Sequence, residues 1–322
     1  EKPMFGHGAN SFVKDYNLAQ ASYFASGRAT SEEVRTSSHI VVCYNDFIQN
    51  FVETGLVSVL LYASFLGGLL CLRLKKGEKP AHFHTAYAGV LIFCTMSLFN
   101  SVQYLIPVFA MFILYASILC VICPSNSGWF VFNKSISKFV NASIRLFMLF
   151  SGVFLIFTQL PKASMSKKVK VAMDFYKIGE YAKAISILKP MGSIISDSEA
   201  YLAVYGMSLQ AQKKYEAALK KFKIAAEITT TPELYVKMSH CHLMVGDAKT
   251  AVEKCSIAVN MVPNRIAPKY ALMNIFTSQS DTTNALKVAK EIVVQTPKGI
   301  SKDAAFYKRE AQSLIDFAAS RF

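Results

Sequence analysis

The sequence is short of charge. Of its 322 residues, 17% are Asp, Glu, Lys or Arg, against 52% hydrophobic. The shortage is concentrated. No charged residue occurs from Gly55 to Leu72, and no Asp, Glu, Lys or Arg occurs from Ala81 through Asn133. A soluble protein with one buried core does not string such segments together. A helix apolar on all sides belongs in lipid or in a large core. Acidic residues are the scarcer sign, 21 against 35 Lys and Arg. Other absences exclude whole classes. The start, Glu1-Lys2-Pro3, has no basic stretch leading into an apolar one, so it does not read as a signal peptide. The seven Cys are scattered, and the Cys120/Cys123 pair has no second pair, which argues against a disulfide framework or a zinc site. His82/His84 and His240/His242 are spaced i, i+2, which on a helix points the rings to different faces. No metal or cofactor is therefore expected. No nucleic-acid motif accompanies the positive charge.

What is present falls into two halves. The first predicts a membrane domain over 55–160 with spans at 55–72, 86–101, 104–123 and 143–160. Asn100-Ser101-Val102-Gln103 supplies the turn between the second and third, and Arg145 reaches the interface at the fourth. The loop 73–80 carries Arg73, Lys75, Lys76 and Lys79, and the loop before the fourth span carries Lys134 and Lys138. Basic short loops lie on the cytoplasmic side. Residues 1–54 and the region 161–322 are then expected on the outer face.

The second half repeats itself. Ala184, Ala218, Ala251 and Ala285 are spaced by 34, 33 and 34 residues in similar settings. Four positions later stand Leu188, Phe222, Cys255 and Ala289, and a small residue recurs upstream at Ala172, Gly206 and Ser239. Gly179 and Gly246 mark turns between paired helices. This resembles the tetratricopeptide repeat, with small residues where two helices cross and larger ones between units. The expected fold is all-α: several transmembrane helices, then an α-solenoid of about four tetratricopeptide-like repeats over 161–322, closed by a helix in 301–322. No seven-residue apolar pattern persists, which excludes a coiled coil. The net charge of this half is +10, from 24 Lys and Arg against 14 Asp and Glu.

Between the start and the first span lies a polar stretch, 1–54. It opens Gly6-His7-Gly8-Ala9-Asn10-Ser11-Phe12, later reaches Tyr44-Asn45, and nine residues on enters the first span with Gly55-Leu56-Val57-Ser58. No strand precedes the glycines and the third is missing, so this is no dinucleotide fingerprint. The order resembles the O-antigen ligase and polymerase superfamily, including the version with a tetratricopeptide-like tail that holds a segment similar to Met261–Leu272. The resemblance implies a glycosyltransferase of the bacterial inner membrane with a periplasmic repeat domain. It would move a glycan from an undecaprenyl-diphosphate carrier to a hydroxyl on lipid or glycan, without a metal. It also implies that this chain is the C-terminal portion of a longer protein, inactive alone, because the family's Arg-bearing helices precede the Gly motif. Tyr44 stands where the family has His, and Ser58 where it has Gly.

The candidate catalytic residues are Glu53, Tyr44 and His39; the candidate substrate-binding residues are Arg28, Arg35, Asn45 and His7. A carboxylate at the edge of a span is seldom idle, and Arg matches diphosphate oxygens with a planar fork. Each has a plainer alternative: a packed carboxylate for Glu53, an interfacial anchor for Tyr44, a helix cap for Asn45, solvated charges for the two Arg. A different class is also open, a non-catalytic membrane-anchored repeat scaffold that binds a partner protein.

Overall fold

The computed structural model describes residues 2–72, 74, 81–123, 146, 150, 164–196, 198–296 and 302–320. All regular structure among them is helical. The chain divides into two compact units, one formed by Glu1–Phe12 and Val41–Ile156, the other by Val13–Ile40 and Phe157–Phe322.

In the first unit, α3 (Asp46–Leu70) starts where Asn45 accepts a hydrogen bond from the Ile48 amide at 3.0 Å. That N-cap satisfies one of the helix's orphan amides. α4 (Ala81–Ser97) and α5 (Ile106–Ile122) follow, joined by a 3-10 turn at Val102–Tyr104, with Pro107 in the first turn of α5. Pro is tolerated there because that amide has no intrahelical partner. The three helices pack through Leu66, Leu69, Val90, Phe93, Phe112 and Leu119. The Phe93 and Phe112 rings stack at 4.0 Å. Of the described helices, α3 alone is long and apolar enough to cross a bilayer; α5 is apolar over 17 residues and α4 has the same length. The expected fourth span, 143–160, lies outside the described residues apart from Leu146 and Phe150, and the basic loop 73–80 does so apart from Leu74.

The second unit is a stack of helix pairs: α6 (164–177) with α7 (Tyr181–Leu188), α8 (Glu199–Ala211) with α9 (Tyr215–Ile228), α10 (Pro232–Met244) with α11 (Ala248–Met261), and α12 (Ile266–Ser278) with α13 (Thr282–Val294), followed by α14 (Lys302–Ala319). The period read from the sequence is the period of the fold. Ala184, Ala218, Ala251 and Ala285 all lie buried on the second helix of a pair, and Leu188, Phe222, Cys255 and Ala289 are buried one turn further on. Gly206 of α8 lies against the Phe222 ring so closely that a methyl group there would overlap it. The turn inside each pair bends at a positive φ, at Gly179, Lys213, Gly246 and Ser280. Two of the four turns hold that left-handed conformation without glycine, where an L-residue is strained.

The unit has a second, upstream component. α1 (Phe12–Ala25) and α2 (Ser31–Thr36) precede an extended stretch to Ile40. Leu18 and Ala21 pack with Tyr235, Ala258, Met261 and Val262. Gln20 donates to the Met261 carbonyl at 2.6 Å, and Asn264 donates to the carbonyls of Arg35 and Ser37 at 2.9 and 2.6 Å. Buried Asn17 exchanges two bonds with the Ile40 backbone. The stretch 1–54, expected as one outer loop, is thus shared between the two units.

Candidate functional site

The head of α3 carries the densest polar arrangement of the first unit. At Gly55 the helix breaks, with φ 79° and ψ −179°. An α-helix would pair the Leu56 amide with the Val52 carbonyl and the Val57 amide with the Glu53 carbonyl. Instead the N-terminal segment takes over all four groups. Leu56 and Val57 donate to the carbonyls of Pro3 and Met4 at 2.9 and 3.4 Å, while His7 and Gly8 donate to the carbonyls of Val52 and Glu53 at 3.0 and 2.8 Å. Residues 3–8 thereby form a strap that closes the break. A break in apolar surroundings requires such partners, since an unpaired backbone group there costs several kcal/mol. Gly6 and Gly55 allow the approach: both have positive φ, and a methyl group on either would fall inside the other strand's backbone.

Beneath the strap, Asp46, Gln49 and Glu53 form a buried polar stripe at i, i+3 and i+7 of α3. Glu53 is 6% exposed. Its Oε2 accepts from the Asn10 amide at 3.0 Å and its Oε1 from Gln49 Nε2 at 3.1 Å. The same Gln49 nitrogen donates to the Tyr104 hydroxyl at 2.6 Å, and Gln49 Oε1 accepts from the Cys43 amide at 3.1 Å. Tyr104 is 48% exposed, so its ring brings this network to the surface. The remaining first-unit candidates stand around it. Asn45 caps α3 and donates to the Leu98 carbonyl at 2.9 Å. Tyr44 is 68% exposed, and His7 contributes its backbone amide to the strap.

Arg28, Arg35 and His39 belong to the second unit. Arg28 Nε donates to Ser26 Oγ at 3.0 Å, and exposed Arg35 pairs with Glu32 at 2.6 Å. His39 Nε2 lies 2.8 Å from the Thr230 carbonyl, so that nitrogen carries the proton. The three therefore sit on the segment that packs against the repeats. Sequence reasoning missed Gln49, Tyr104 and Asn10. Gln49, four residues before Glu53, was legible from helical spacing; Tyr104 was not, because nothing in the sequence pairs it with α3.

The second unit holds a groove of about 490 Å³ between α10, α12 and α14. Lys237 and His240 line it from α10, Tyr270 and Asn274 from α12, and Tyr307 from α14. The Tyr270 and Tyr307 rings stack at 4.5 Å. Arg265 at its rim pairs with Glu233. Burial pulls the Lys237 ammonium below its ordinary range, with nearby Cys241 and Glu233 opposing. Burial, then the Lys237 charge, lowers His240. His240 Nδ1 lies 2.9 Å from Gln210 Nε2. A half-desolvated ammonium with an aromatic wall is a place for a negatively charged group.

No protein-family profile matches the chain, and no curated protein matches it. Among solved structures, it is similar to a thermophilic TPR protein of Thermus thermophilus at 16% identity, covering 53% of this chain and 96% of that one, TM-score 0.40. It is similar to YrrB, a TPR protein described as having an unusual peptide-binding site, at 14% identity over 46% of this chain and 76% of that one, TM-score 0.36. The TPR domain of P58(IPK) aligns over 96% of this chain and 77% of its own at 12% identity, TM-score 0.29. At these scores the likenesses add nothing to the assignment, and none of them carries the resemblance to O-antigen ligases. The chain's own period and helix pairs lead to the conclusion: this is an all-α protein whose second unit is built of tetratricopeptide-like repeats.

Proposed function

We propose that the chain is a membrane-anchored repeat scaffold whose groove between α10, α12 and α14 holds an acidic segment of a partner protein. The observation that carries this reading is Lys237. It is half-buried on the groove floor, and a bound carboxylate would restore the stabilisation that burial removes. The anchoring rests on the uncharged run from Gly55 to Leu72, most of which lies in α3. Placement in a bacterial inner membrane rests on the resemblance to O-antigen ligases, and the basic short loops of the sequence favour the outer, periplasmic side for the repeats. The test uses the full chain in detergent micelles and a fluorescein-labelled peptide of alternating Glu and Ala. Binding should weaken about tenfold for Lys237→Met, a loss of about 1.4 kcal/mol. It should hold for Lys220→Met, an exposed residue outside the groove. Equal binding by both variants, or equal binding of a Lys/Ala peptide, would sink the reading.

A second reading is favoured by Glu53. A buried carboxylate two residues from a strapped break, linked through Gln49 to a half-exposed tyrosine, suits an acceptor-activating role. The reaction would be glycan transfer from an undecaprenyl-diphosphate carrier to a hydroxyl. In membranes containing the protein, Glu53→Gln should lower such transfer by about 10²-fold at unchanged protein level. Undiminished transfer would remove Glu53 from the chemistry.

A further inference from the structure

Asp46 is harder to explain than Glu53. It is 1% exposed, and both carboxylate oxygens lack a hydrogen-bond partner. The Ser97 hydroxyl and the Val102 and Gln103 amides lie beside it, short of hydrogen-bonding geometry. Tyr62 completes the surroundings, its hydroxyl 3.4 Å from Ser97 Oγ, with the buried Gln103 amide group alongside. Glu53 adds a second enclosed carboxylate two helical turns on, and no basic side chain among the described residues is paired with either. A carboxylate enclosed without a counter-charge is disfavoured by several kcal/mol. Glu53 escapes part of this through the Asn10 amide and Gln49. Asp46 has no such bonds.

We propose that the buried Asp46 carboxylate at the head of α3 binds a small monovalent cation, Na⁺, together with the hydroxyls of Ser97 and Tyr62. The donors fit the ion. Carboxylate and hydroxyl oxygens are hard ligands suited to hard cations. The single charge of Asp46 calls for a monovalent rather than a divalent ion, and the field of Glu53 adds attraction without occupying a coordination position. The donors come from two helices and the ion would cross-link them: Asp46 and Tyr62 from α3, Ser97 from the end of α4. Binding should therefore show as stability as well as retention.

The test uses the full chain purified in detergent. Retention of ²²Na⁺ is measured directly, and thermal unfolding is followed by circular dichroism with NaCl replaced by choline chloride at constant ionic strength. Sodium at about ten times its Kd should raise Tm by a few degrees. Asp46→Asn keeps the shape and removes the charge; it should abolish both retention and the Tm difference. Ser97→Ala should weaken retention about tenfold, and carries the test if Asp46→Asn does not fold. Three results overturn the proposal: no ²²Na⁺ retained by the unaltered chain, retention unchanged in Asp46→Asn, or a Tm that rises on acidification while indifferent to the cation. The last would place a proton on Asp46 instead.

Discussion

Gly55→Ala should unfasten the strap and destabilise the first unit by about 3–5 kcal/mol, among the larger effects of a single methyl group. Two penalties combine. The backbone at Gly55 has φ 79° and ψ −179°, a conformation open essentially to glycine alone and costing an L-residue about 1–3 kcal/mol. The new Cβ would also occupy the position of the Met4 carbonyl. Backbone cannot step aside as a side-chain tip can, so the segment 3–8 must leave. With it go the four bonds that pair the groups freed by the break, and Glu53 loses the Asn10 amide. Gly6→Ala should do the same from the other side, because its Cβ would fall on the Glu53 carbonyl. Gly8→Ala is the control. Its φ is 111°, but nothing lies within 4 Å of the added carbon, so it should cost only the backbone strain. Denaturant titration of the full chain in mixed micelles would rank the three. Equal losses at Gly8 and Gly55 would mean that the strap does not grip α3 as described.

The second large effect belongs to the repeats. Phe222→Ala should cost about 3–5 kcal/mol, the usual range for emptying a buried aromatic site. Phe222 is fully enclosed, and its ring covers Gly206. That contact gives the prediction a sharper form. Gly206→Ala should be destabilising alone, since the methyl would enter the ring. In a Phe222→Leu background the same change should be much milder. A double-mutant cycle should therefore show a coupling of about 1–2 kcal/mol. Additive losses in thermal or urea unfolding would show that the two residues do not meet.

The contrast between these two sites explains what could be read from the sequence. The repeats were legible because one physical requirement recurs every 34 residues: a small residue where helices cross and a larger one a turn later. Ala172, Gly206 and Ser239 are three answers to that requirement, and all three are buried. The glycines of the strap were visible as a resemblance, but their purpose was not. Gly6 and Gly55 are 49 positions apart, and what joins them is backbone, which has no sequence signature. Glu53 could be picked out as a carboxylate at the edge of an apolar run. Its immobilisation by Asn10 and Gln49 could not, and neither could the exposure of Tyr104 at the end of the network. Arg28, Arg35 and His39 were grouped with Glu53 because they share a polar stretch. Contact sorted them differently, since Asn264 and Thr230 hold their segment through backbone carbonyls and a ring nitrogen.

That upstream segment has a consequence for how the protein is made. Residues 13–40 leave the ribosome long before the surface they pack on. The bond from Gln20 to Met261 joins residues 241 positions apart. At ordinary synthesis rates of about 5–20 residues per second, α1 waits roughly 10–50 s for its seat. During that interval Leu18 and Ala21 have no native neighbours, and Asn17 can secure only the local bonds to Val13 and Ile40. The repeats stack from nearest-neighbour contacts and can assemble as they emerge. Capture of the upstream segment must then wait for the third helix pair, and it can precede the fourth pair and α14. A nascent chain stalled before Met261 should leave α1 open to protease, and one released after Asn264 should protect it.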